Sequence, residues 1–73
     1  MNTHQYRAVE ALEQMRARIL EKVSTEFQGM TEEQMEENYH NDVMTNRQKL
    51  QSLKQQDKGI IESIAWVKSR TGW

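Results

Sequence analysis

One pattern limits what this chain can become. Tyr39, Val43, Asn46, Leu50, Leu53, Asp57, Ile60, Ile64 and Val67 recur at spacings that alternate four and three. A repeat of 3.5 residues keeps one helix face turned toward a partner helix, as in coiled coils. Seven of these nine positions are apolar, and Asn46 and Asp57 are the exceptions. Each is either a polar seam residue that fixes register and oligomer order at some cost in stability, or the edge of a narrower seam. On the first reading, leucine at position 46 is expected to raise thermal stability.

A second stripe precedes it. Val9, Leu12, Met15, Ile19, Val23 and Phe27, widened by Ala8, Ala11 and Leu20, predict an amphipathic helix over 4–27. Thr3 is the expected N-cap, Gln28 the C-cap and Gly29 the left-handed residue after it. Thr31 and Gln34 form a capping-box pattern, so a second helix is expected from about 32 to 57. It continues, or restarts past Gly59, to 60–70. Gly59 costs a helix roughly 1 kcal/mol relative to alanine and marks a break, a close helix contact or an approaching ligand. The stretch TEEQMEENYHND is the weakest helix former and has a frayed or looped alternative. A helix over 32–70 would be about 58 Å long, against about 36 Å for the first. The excess must be broken, disordered or covered by another chain.

Composition agrees with helices. There is no proline and no cysteine in 73 residues, and only three glycines. The expected fold is therefore all-α: one domain over 1–73, a helical hairpin of two long helices. So short a chain buries little of its surface, and without disulfides oligomerisation is the remaining route to stability. A net charge of −1 is not the footprint of a general nucleic-acid binder. No apolar run is long enough to span a bilayer, and MNTHQYRAVE does not resemble a signal peptide. These features, with the absence of cysteine, place the protein by expectation in the cytosol, off the membrane.

Chemistry is sparse. Neither a nucleophile motif nor a glycine-rich phosphate loop is present, so no enzyme and no cofactor is expected. Glu10, Glu13, Glu21 and Glu26 interleave with Arg7, Arg16, Arg18 and Lys22, which reads as a solvated helix surface. Glu36 and His40 share a face, but two ligands fall short of a closed metal site, and no metal is expected. Charge is segregated. Residues 31–42 hold five acids and no Lys or Arg, and residues 46–70 hold six bases against Asp57 and Glu62. At the C-terminal end, Trp66 reads as a core plug against the first helix, whose loss would cost roughly 3–5 kcal/mol. Beyond it, Arg70 and Thr71 offer a guanidinium and a hydroxyl suited to phosphate oxygens, and Trp73 offers an aromatic face.

The run Ile60-Ile61-Glu62-Ser63-Ile64-Ala65-Trp66-Val67 and the arginine-rich RAVEALEQMRARILEKV resemble the small phage proteins that sequester cyclic-nucleotide messengers of bacterial CBASS immunity. In that family the second helix ends in a stretch of the type Leu-Glu-Glu-x-Met-x-Trp-Ala. The resemblance covers about two thirds of the chain. It implies a hexamer that binds cyclic di- and trinucleotides without cleaving them. It also implies ligand contacts from a tyrosine and a lysine in the N-terminal half and an arginine and a threonine near the C-terminus. By type and approximate position these are Tyr6, Lys22, Arg70 and Thr71. The chain departs from the family in lacking a proline-bearing N-terminal segment and in carrying TEEQMEENYHND as an insertion.

Two functions of different class follow. One is a non-enzymatic phage counter-defence protein, acting in the host cytosol as a homo-oligomer that sequesters a cyclic oligonucleotide. The other is a small helical inhibitor or adaptor, like some anti-CRISPR proteins, that binds a host protein through its apolar stripe or acidic segment. A coiled-coil assembly factor without a small ligand is the third reading.

Overall fold

The structure is a computed structural model that describes residues 3–70. Among them the elements are α1 (Thr3–Phe27), a short α2 (Glu32–Met35), a 3₁₀ turn (Tyr39–Asn41) and α3 (Asn46–Arg70), with no strand. The protein is all-α. α1 ends as its sequence predicts: Gly29 takes φ +79°, and the Met30 amide donates to the Phe27 carbonyl at 3.3 Å. Thr3, expected to cap the helix, is already helical.

The second helix is not what the heptad pattern suggested. Its predicted capping box forms: the Gln34 amide donates to Thr31 Oγ1 at 3.1 Å, and the Thr31 amide donates to the Gln34 side chain at 2.9 Å. Yet α2 stops after four residues. His40 and Asn41 turn left-handed, at φ 45° and 64°, and no right-handed helix passes through them. The Tyr39 amide then donates to the Met44 carbonyl at 2.9 Å, which folds the segment back on itself. Thr45 and Gln48 build a second capping box, with bonds of 2.8 and 3.2 Å, and α3 starts there. Tyr39 and Val43 therefore leave the predicted seam. Val43 is 96 % exposed.

From Asn46 on, the seam holds. α3 runs through Gly59 without a break, and the described residues place nothing within 4 Å of a Cβ added there. α1 and α3 pack in opposite directions: Arg16 meets Asp57, and Leu20, Val23 and Phe27 lie beside Leu50 and Lys54. Both helices have 25 residues, about 37 Å of axial rise. Their equal length removes the mismatch that had argued for assembly. The extra residues form the cap across one end.

The core is thin. Val9, Phe27, Leu53 and Ile60 are the buried apolar side chains, and none of the described side chains is wholly enclosed. Arg16, not Met15, takes the seam position between Leu12 and Ile19. Met15 is 47 % exposed. Arg16 Nε donates to Asp57 Oδ1 at 2.7 Å and Arg16 Nη2 to Oδ2 at 3.3 Å. Asp57 is thus a seam residue with a partner across the interface.

Asn46 is also a seam residue, but it is buried against the cap. Its Nδ2 donates to the Gln34 carbonyl at 2.9 Å, and its amide donates to the Glu37 carbonyl at 2.8 Å. The gain expected from leucine is therefore reversed. Asn46→Leu removes one of two donors to the Gln34 carbonyl, which keeps the Glu37 amide at 3.1 Å, and so costs roughly 0.5–1.5 kcal/mol. At 4–8 °C per kcal/mol for a domain of this size, the melting temperature should fall by roughly 2–12 °C. A thermal melt checks it, and an unchanged or higher midpoint refutes this role.

Candidate functional site

The residues singled out for ligand contact sit at opposite ends. Because Arg16 meets Asp57, positions on the two helices lie level where their numbers sum to about 73. Tyr6 is thus level with Val67 and shares an end with Arg70. Lys22 is level with residue 51, which puts it about 28 Å along the helix axis from Arg70 at 1.5 Å per residue. Lys22 is also engaged, its amine 3.9 Å from Glu26 one turn on. Thr71 and Trp73 lie outside the described residues. One chain therefore brings Tyr6 and Arg70 to a common end but not Lys22.

At that end Trp66 is not a core plug. It is 58 % exposed. Ile60, Ile64 and Val67 hold the seam, so position 66 points about 100–160° away from each of them. The Arg70 guanidinium lies 4.7 Å over the Trp66 ring, a cation–π arrangement one helical turn apart. The pair presents a flat aromatic surface with a fixed positive charge, and Tyr6 is exposed on α1 at the same level.

The opposite end carries a polar cluster that sequence reasoning did not assemble. Glu26, near the end of α1, accepts from Tyr39 Oη at 2.7 Å and lies 3.0 Å from His40 Nε2. These bonds, the Tyr39 hydroxyl first, hold the Glu26 carboxyl below its ordinary range, and the same contact pushes the Tyr39 hydroxyl up. Tyr39 also stacks on Phe27 at 5.8 Å, with the Lys49 amine 5.3 Å from its ring centre. Arg47 joins α3 to α2: it contacts Glu32, and its Nε donates to Glu36 at 2.8 Å. Glu36 and His40 are thereby committed to different partners. Among the described residues no cluster of three ligating side chains is placed to hold a metal. The sequence signal for this cluster was Thr45-x-x-Gln48, which repeats the capping pattern of Thr31-x-x-Gln34 and marks a new helix start.

Between the ends, one flank of the helix pair is open and apolar. Ala17, Leu20, Ile61 and Ile64 line a groove with Glu13, Arg16 and Lys68 at its margins. Leu20 also lines a second hollow with Val23, Phe27, Leu50 and Lys54, so the two form one continuous trough. No described helix is long and apolar enough to cross a membrane. Comparisons with protein-family models, curated proteins and solved structures give no match to this chain.

Trp66→Ala should cost no more than about 1 kcal/mol, because a mostly exposed side chain leaves no cavity behind. Urea denaturation measures it, and a loss of 3 kcal/mol or more would put Trp66 back in a packed core. The Glu26 cluster predicts an acid limb. Its folded pKa lies below the ordinary 4.5, so its contribution is complete above that value and is lost as pH falls through the folded pKa. Glu26→Gln should lower stability at pH 7 and flatten the pH dependence below 4.5. Parallel melts across pH 2–7 that keep the parent slope would exclude Glu26 as its source.

Proposed function

We propose that this chain is a non-enzymatic binding protein that works as a homo-oligomer and sequesters a cyclic oligonucleotide messenger between subunits, countering a bacterial immune signal on behalf of a phage. The observation that carries the reading is the exposed Trp66–Arg70 pair at the end shared with Tyr6. An indole or phenol face stacks on a nucleobase, and a guanidinium bonds phosphate oxygens. Arg70 on Trp66 supplies both within one helical turn. Lys22 fits the same ligand only if another subunit delivers it, because the axial offset within one chain is about 28 Å. The ligand then belongs at a subunit boundary, as the family resemblance implies.

A helical inhibitor of a host protein is the second reading, and the open trough around Leu20 and Ile61 favours it. The acidic segment favours it less. Glu32 and Glu36 are bound by Arg47, so those charges are spent on holding the cap.

Calorimetry with cyclic di- and trinucleotides separates the two. The parent should bind at least one of them. Saturation at 100 times the dissociation constant should stabilise the protein by about 2.7 kcal/mol. Arg70→Ala should weaken binding about tenfold or more with the helical signal unchanged, consistent with loss of a charge-assisted bond. No heat and no thermal shift with any cyclic nucleotide removes the messenger reading.

A further inference from the structure

We propose that the trough along Ala17, Leu20, Ile61 and Ile64 is the contact face for a second copy of this chain, with a two-fold axis parallel to the helices that sets α1 of each copy beside α3 of the other. This names one interface of the oligomer in the proposed function and rests on that reading only for its biological use; because the axis keeps every level, bringing Lys22 to Arg70 needs a second, end-to-end contact between such pairs.

The first argument is charge. The flank of α1 that borders the trough carries Glu10 and Glu13, three residues apart on one face. The bordering flank of α3 carries Lys54 and Lys58, four apart. A two-fold axis parallel to the helices leaves every level unchanged and exchanges the flanks. Glu13 of one copy then comes level with residue 60 of the other, within one turn of Lys58. The perpendicular two-fold axis would set α1 on α1 and α3 on α3, placing acid toward acid and lysine toward lysine. Like charges at such an interface oppose association, so the parallel axis is favoured.

The second argument is area. Each helix is about 37 Å long, and the pair is under 20 Å across. Its open flank presents on the order of 650 Å² per copy, or about 1,300 Å² for two, within the range of specific interfaces. The third is the state of the core. Leu20 and Ile61 stay nearly half exposed in one chain, and they face the centre of the resulting four-helix bundle. In that bundle every neighbouring helix pair runs in opposite directions, as α1 and α3 already do.

Sedimentation equilibrium tests it. The parent should have a mass of about 17 kDa, twice the chain's 8.7 kDa, or a higher multiple built from that pair. Leu20→Glu and Ile61→Glu should each reduce it to the single chain, with circular dichroism reporting whether the helices persist. Glu13→Lys and Lys58→Glu should each weaken association, and the double variant should recover it. That exchange removes no buried apolar side chain, and circular dichroism on the Glu13→Lys variant shows whether the loss of Glu13 beside Arg16 disturbs the helices, which keeps the test sound if a groove variant unfolds. A single-chain parent mass at 100 μM overturns the proposal. So does an oligomer whose mass the groove variants leave unchanged, or a double variant weaker than both singles. A dimer that binds no cyclic nucleotide upholds the face and removes the messenger reading; a single-chain parent that binds one overturns the face and keeps nucleotide binding, but removes the site between subunits.

Discussion

The fork of Arg16 on Asp57 is the interaction the rest of the molecule depends on. It sits near the middle of both helices, at a seam position of each. Sliding α3 by one heptad along α1 would set Asp57 against Val9 or Val23 and leave a part-buried carboxylate without its cation. That cost falls on every wrong alignment and none falls on the right one, which is how a polar seam residue buys register. With the register fixed, side-chain directions follow. Met15 and Trp66 turn outward, and Leu20 and Ile61 line an open flank.

The seam of α3 was legible in the sequence from Asn46 to Val67, because period 3.5 survives wherever the helix does. The same alternation in α1 runs through Val9, Leu12, Arg16, Ile19 and Val23. Choosing Met15 over Arg16 followed hydrophobicity where spacing was the better guide. A base placed four residues from Leu12 and three from Ile19 is where Asp57 of the facing seam finds its counter-charge. The role of Trp66 was misjudged for a related reason: bulk suggested burial, whereas position 66 lies off the Ile60, Ile64 and Val67 line.

The break between α2 and α3 was less legible, and the reason is local. Tyr39 and Val43 match the heptad by chance of spacing, while His40 and Asn41 adopt left-handed backbone that periodicity does not encode. What did encode the break was capping chemistry. Threonine followed three residues later by glutamine occurs at 25, 31 and 45; the last two start helices, while Thr25 lies inside α1 and its hydroxyl donates to the Glu21 carbonyl instead. The polar cluster then holds the reversal shut. Glu26 gathers Tyr39 and His40, Arg47 gathers Glu32 and Glu36, and Asn46 caps a carbonyl of α2.

Charge is thereby divided along the long axis. The segment 28–45 holds five acids and no Lys or Arg, α1 holds four of each sign, and α3 holds six bases against two acids. The molecule is 48 Å long, and the screening length at physiological ionic strength is about 8 Å, so its two ends act independently on a charged ligand. The acidic cap repels anions near Lys22. At the far end Lys68 and Arg70 close α3, and basic residues at a helix C-terminus offset the negative end of its dipole. An anion that needs both Arg70 and a lysine like Lys22 gains little from one chain alone.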